Sequence, residues 1–199
     1  MAAGGALVSL LCLSLSRRIG ERIRIGWKVS RPIYIVLVIV GVVTGLLIGE
    51  GGLHCVLSLV GVTVLLVIQT PIDLAFRRLA REPTLIVSVS FVILQVTKAV
   101  AEKSWGELLV PLSVAFCTTG IVATLHRLAK ASVGFGDVLL TFPLALSLAS
   151  VSFQVMPWWM LIASLTGSIH ALLVRRRSKL IPFGPHLLFG AWLMLLISV

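Results

Sequence analysis

Two aspartates, Asp73 and Asp137, stand at the edges of long apolar segments in a chain that holds seven Asp and Glu against seventeen Lys and Arg. An ionisable side chain at membrane depth is expensive to keep, so each such group marks a candidate functional site. Two carboxylates that can reach one another suit peptide hydrolysis. That reaction needs a base to activate water and an acid to protonate the carbonyl oxygen or the departing amine, and a neighbouring pair sharing one proton supplies both. Such a pair titrates as one coupled unit.

The elements that must position them follow from composition. Of the 199 residues, 58% are apolar and 12% charged, which leaves too little polar surface for a water-soluble domain and predicts an all-α polytopic membrane protein. At about 20 apolar residues per crossing, seven spans are expected near 32–49, 53–70, 84–101, 107–126, 138–154, 157–174 and 183–199. Segment 5–16 is apolar but short for a crossing, and it reads as an extra thin span or an interfacial segment. Its basic residues follow the apolar run rather than precede it, which argues against a secretory signal. Two parts are expected: residues 1–52, with the apolar segment, a basic loop and an accessory helix, and residues 53–199, which carry both aspartates.

The basic residues set the orientation. Loop 17–31 carries Arg17, Arg18, Arg22, Arg24, Lys28 and Arg31; loop 71–83 carries Arg77, Arg78 and Arg81; loop 127–136 carries Arg127 and Lys130; loop 175–182 carries Arg175, Arg176, Arg177 and Lys179. Those are fifteen of the seventeen, with only Lys98 and Lys103 outside them, and the drawn spans put all four loops on one face. By the positive-inside rule that face is cytoplasmic. Asp73 then lies where one span emerges and Asp137 where another begins, both at the cytoplasmic end. The net charge of +10 does not point to nucleic acid, because the cations are spread over loops rather than gathered on a patch with base-reading groups. Topogenesis and contact with anionic lipid account for them.

Other candidates are weaker. Cys12, Cys55 and Cys117 are isolated in apolar stretches with no Cys-x-x-Cys pair, and His54, His126, His170 and His186 are scattered without the i, i+4 spacing of a helical metal pair. Packing or interfacial roles are expected for them, with no metal or cofactor. Gly41, Gly45 and Gly49 fall four apart on one helix face and predict a close helix–helix seam, within the chain or between two copies in a homo-oligomer.

The sequence around each aspartate admits two readings. Ser132-Val133-Gly134-Phe135-Gly136-Asp137-Val138 places two glycines beside the carboxylate, giving a backbone free to take unusual angles and to approach another chain, as at the mouth of a hydrophilic cavity. Alternatively Asp137 caps the helix that follows. Thr70-Pro71-Ile72-Asp73-Leu74-Ala75-Phe76-Arg77-Arg78-Leu79 reads either as half of an acid pair or as the start of a short amphipathic helix capped by Asp73, with its arginines on headgroups. Ile181-Pro182-Phe183-Gly184-Pro185-His186 is a rigid entry to the last span, where Pro fits a first turn without losing a helical hydrogen bond.

Taken together, these three stretches resemble the prepilin peptidase family, the intramembrane aspartic proteases that process type IV pilin-like precursors. The likeness covers roughly residues 53–199 and rests on Ile72-Asp73 before a basic Arg77-Arg78-Leu79 segment, on Gly134-Phe135-Gly136-Asp137, and on Ile181-Pro182-Phe183-Gly184-Pro185, in the family's order and spacing. It implies a peptidase that cuts a short basic leader from prepilin or pseudopilin-like precursors at the cytoplasmic face of a bacterial membrane, usually just after a glycine. Asp73 and Asp137 are then the catalytic pair, and Gly134 and Gly136 let an extended substrate backbone lie beside it. The chain departs from the family pattern where many members have Lys two residues after the second Asp, here Leu139, and Pro-Asn after the first basic segment, here Ala80-Arg81. It has no cysteine-containing cytoplasmic segment of the kind associated with N-methylation in larger members, so cleavage without methylation is expected. Two other classes remain: an inactive relative that binds precursors or assembles a secretion machine, and a small transporter in which Asp73 and Asp137 relay protons or bind a cation.

Overall fold

A computed structural model of the chain describes Ser14 and residues 53–76, 78–128, 134–174 and 182–198. Segment 5–16, loop 17–31, span 32–49 with its glycine seam, Arg77, Lys130 and the 175–181 part of the last basic loop lie outside the described residues. Within them the chain is helical: α1 Leu53–Phe76, α2 Arg81–Ala101, α3 Gly106–Leu128, α4 Phe135–Val151, α5 Val155–Val174 and α6 Gly184–Ser198. Four helices are long and apolar enough to cross a membrane, over His54–Leu74, Arg81–Ala101, Gly106–Leu128 and Val155–Leu173, whereas α4 and α6 are shorter apolar helices. The chain is a helical membrane protein: six of the expected spans fall on the six described helices, four of which are long enough to cross, and the seventh, 32–49, lies outside the described residues.

The short helices are the interior ones. Along α4, Asp137, Val138, Leu140, Thr141 and an unbroken stretch from Pro143 to Ala149 are buried, so this helix is enclosed on all sides and packs against each of the other five. The α6 helix is also deeply enclosed, with Leu187, Leu188, Ala191 and Leu195 at its core, and it packs on α1, α4 and α5. Helices α2, α3 and α5 form the outside. Leu85, Ile86, Val89 and Ile93 on α2, Leu109, Phe116 and Ile121 on α3, and Leu161, Leu165 and Leu172 on α5 are exposed, an apolar belt that only lipid can solvate.

Several helix hydroxyls bond back to carbonyls of their own helix, as an interior without water favours, whereas Ser58 Oγ, Thr70 Oγ1 and Thr119 Oγ1 are buried without a partner among the described residues. Thr63 Oγ1 donates to Leu59 O at 2.7 Å, Thr141 Oγ1 to Asp137 O at 2.8 Å and Ser147 Oγ to Leu144 O at 3.0 Å. Between α5 and α6, the fully buried Trp159 donates its Nε1 proton to Leu187 O at 2.9 Å, and Gly190 admits its ring: a Cβ there would lie 3.2 Å from Trp159 Cδ1.

The α1 helix corrects a boundary. Thr70-Pro71 reads in sequence as the end of a span, yet α1 passes through Pro71 and ends at Phe76. Proline costs a backbone hydrogen bond inside a helix, but neighbouring helices in a membrane bundle support the freed groups. Asp73 therefore sits inside the last turn of a long helix, and the short amphipathic helix capped by Asp73 does not form.

Candidate functional site

The two aspartates come from α1 and α4, and the chain between them is the α2–α3 hairpin. Asp73 stands three residues from the end of α1 and Asp137 is the third residue of α4. Both are buried, with 5% and 7% of their surface exposed, and the carboxylates are close enough to interact electrostatically. Within the fold they belong to one place.

Their environments differ. Asp137 Oδ2 accepts the Gly134 backbone N–H at 3.2 Å, while its own N–H bonds Gly134 O at 3.1 Å. Asp137 thus does act as a cap, reaching back from the third helical position to an otherwise orphaned donor. Capping and membership of the pair occur together. For Asp73, the Gly184 backbone N–H at the start of α6 is directed at the carboxylate, while Oδ2 is buried and has no hydrogen-bond partner among the described residues. A buried acceptor left unmade costs about 1–3 kcal/mol.

The glycines act differently from expectation. Gly134 has φ −66° and ψ 142°, ordinary extended backbone, and no described glycine has a positive φ. The freedom to take unusual angles is not used. What Gly136 provides is room: a Cβ there would meet Leu79 Cβ at 2.9 Å and Leu79 Cδ1 at 3.1 Å. Gly184 does the same on the other side, where a Cβ would lie 2.8 Å from Asp73 Oδ2 and 3.2 Å from both Leu79 Cδ atoms. Leu79 is thereby held between the Gly-x-Gly-Asp turn and the Pro-Phe-Gly-Pro entry, beside the same face of Gly184 as Asp73 Oδ2.

Leu79 belongs to the four-residue connector 77–80 between α1 and α2, and its described part, the strap 78–80, is fastened by Gln69. This fully buried side chain lies one helical turn before Asp73, on the same face. Its Nε2 donates to Ala80 O at 2.6 Å and to Thr84 Oγ1 at 2.8 Å, and its Oε1 accepts the Ala80 N–H at 2.9 Å. Ala80 is the N-cap of α2 and has no side-chain oxygen to cap with, so a residue of a different helix takes that part. Thr84 closes the network by donating to Ala80 O at 3.1 Å. Sequence reasoning missed Gln69, although an amide in an apolar run one turn from an aspartate was a readable signal. Leu79 closes the Arg77-Arg78-Leu79 motif, but nothing in the sequence places it beside Gly136 and Gly184.

Two further groups flank the site. Arg81, at the start of α2, stacks its guanidinium 5.9 Å from the centroid of Phe135, whose ring also lies 6.0 Å from that of His126, so Arg81 braces the glycine turn. The histidines are not all scattered. His170 Nδ1 and His186 Nε2 are 2.8 Å apart, pairing the end of α5 with the first turn of α6, and no third ligand-type side chain joins them among the described residues. Cys55 is half-buried and Cys117 faces outward.

The site is thus an electrostatically coupled carboxylate pair with one unpartnered oxygen, an apolar side chain over it, and backbone without Cβ atoms on two sides. Comparison with protein-family models, with curated proteins and with solved structures returns no match.

Proposed function

We propose that this protein is an intramembrane aspartic endopeptidase in which Asp73 and Asp137 act together on a peptide bond. The observation that carries the proposal is the pairing of two buried carboxylates from separate helices, one of which keeps a free oxygen. One carboxylate takes the proton of the attacking water and the other, protonated, donates to the carbonyl oxygen or the departing amine. A scissile segment must be extended for attack, and Gly136 and Gly184 leave backbone bare on both sides of the pair. The likeness of the three motifs to the prepilin peptidases supports a substrate class: prepilin or pseudopilin-like precursors, cut at a short basic leader. With it go a seven-span bacterial cytoplasmic-membrane topology with the site toward the cytoplasm, cleavage without methylation, and no cofactor. Arg78 and Arg81 serve lipid phosphate and the glycine turn rather than the leader, whose own positive charge they would repel.

The test is precursor processing in membranes containing wild type, Asp73→Asn or Asp137→Asn at equal abundance. Shortening of a candidate prepilin by wild type alone is expected. Efficient processing by either Asn form would falsify the acid-pair mechanism. Persistent precursor binding without cleavage by all three forms favours the inactive relative, and pH-dependent ion flux without any shortening favours the transporter.

A further inference from the structure

We propose that Leu79 is a displaceable plug, held by the strap 78–80 in the place an extended peptide backbone must take to reach the carboxylates. The inference rests on the peptidase reading for the identity of what displaces it, but not for the plugging itself. Three observations carry it. Leu79 fills the gap between Gly136 and Gly184, with both of its Cδ atoms 3.2 Å from where a Gly184 Cβ would stand. Asp73 Oδ2 lies beside the same spot, 2.8 Å from where that Cβ would stand, and it is buried and unpartnered among the described residues. And the strap that presents Leu79 has no helical structure; its attachment is the Gln69 side chain, which grips both the N–H and the carbonyl of the next residue, Ala80.

A side chain on a short non-helical connector, tied at Ala80 by Gln69 and Thr84, moves more readily than one on a packed helix. Swinging it aside bares two glycine faces and one free carboxylate oxygen, which is what an incoming peptide needs. Opening breaks the Gln69–Ala80 pair, so Gln69 sets how strongly the closed form is favoured, and the site stays dry until a substrate replaces Leu79. Polar contact between Asp73 and bulk water is thereby limited while the enzyme rests.

The experiment reads access without relying on cleavage. In a background with Cys12, Cys55 and Cys117 changed to Ser, Asp73→Cys puts a thiol under the plug, and the probe is sulfonatoethyl methanethiosulfonate added to the purified full chain in detergent micelles. Labelling at position 73 is expected to be slow with Leu79 present, equally slow with Leu79→Met, and at least tenfold faster with Leu79→Ala or Gln69→Leu. Should Leu79→Ala not accumulate, Leu79→Val is read the same way, with at least a threefold increase. Rates within twofold of the parent in Leu79→Ala (or its Val replacement) and Gln69→Leu, or fast labelling in the parent itself, overturn the plug. A parallel cleavage assay in the chain with both aspartates separates the two ideas: labelling that responds to Leu79 while no precursor is ever cut leaves the plug standing and removes the peptidase.

Discussion

Replacing Gln69 by Met keeps the volume of the side chain and removes its polar end. Three hydrogen bonds disappear, but the cost is not three times one bond. The Ala80 carbonyl keeps Thr84 Oγ1 as a donor at 3.1 Å, and the Thr84 hydroxyl keeps that acceptor. Only the Ala80 N–H loses its partner outright, and an unmade, partly buried donor costs about 1–3 kcal/mol. With a small additional loss from the other two bonds, Gln69→Met should destabilise the protein by about 2–3 kcal/mol. Thr84→Val alone leaves Ala80 O bonded to Gln69 at 2.6 Å and should cost about 1 kcal/mol. In the double variant the carbonyl loses both donors, so the combined loss should exceed the sum by about 1 kcal/mol, outside the ~0.3–0.5 kcal/mol within which independent sites add. Reversible unfolding by SDS in mixed micelles measures all four forms. A Gln69→Met protein within ~0.5 kcal/mol of wild type, or an additive cycle, would refute the view that Gln69 caps α2 from α1.

Gly136→Ala puts a Cβ 2.9 Å from Leu79 Cβ and 3.1 Å from its Cδ1; overpacking of that kind costs about 1–3 kcal/mol, and Leu79→Gly in the same chain, which removes both contacting atoms, should restore more of the lost thermal stability than Leu79→Ala, which keeps the Cβ. Trp159→Phe removes the Nε1 bond to Leu187 O and should lower stability in detergent by about 1 kcal/mol, whereas an unchanged melting curve would deny that bond a part in docking α5 on α6. Cysteines introduced as Arg78→Cys and Lys103→Cys should react with an impermeant maleimide from opposite sides of sealed vesicles; labelling from one side would mean that α2 does not cross. Lys98→Met breaks the ion pair with Glu107 at 2.9 Å, and because Glu107 is exposed the stability should not change measurably.

Much of the bundle is legible in the residues. The apolar runs place α2, α3 and α5 to within three residues at either end, because in lipid a helix must satisfy its own backbone and few other solutions exist. The end of α1 was not legible: Pro71 is a stop signal in water, and only the surrounding helices let the chain run on to Phe76. Asp73 and Asp137 were readable as a pair because carboxylates are rare and the basic loops put both at one end. What holds them was not. Leu79 looks like any leucine, and its place between two glycines depends on three segments meeting. His170 and His186 are sixteen residues apart on different helices, and no spacing rule anticipates a contact made by tertiary packing.

The two shortest helices lie at the centre of this bundle, and that has a consequence for the bilayer around it. At 1.5 Å per residue, the 17 residues of α4 and the 15 of α6 reach only about 26 and 23 Å, against a hydrocarbon thickness of about 30 Å. Exposed to lipid, such helices would force the membrane to thin or themselves to shift. Packed against longer helices, α4 against α1, α2, α3 and α5 and α6 against α1 and α5, they carry less of that penalty. A deficit of several Å in the middle of a full-length rim makes a dimple, and the first turns of α4 and α6, with Asp137 and Gly184, lie at its floor or its far side according to how the shortfall is divided. Where it falls on their side, water and a peptide can descend as far as Leu79 without any lipid being displaced.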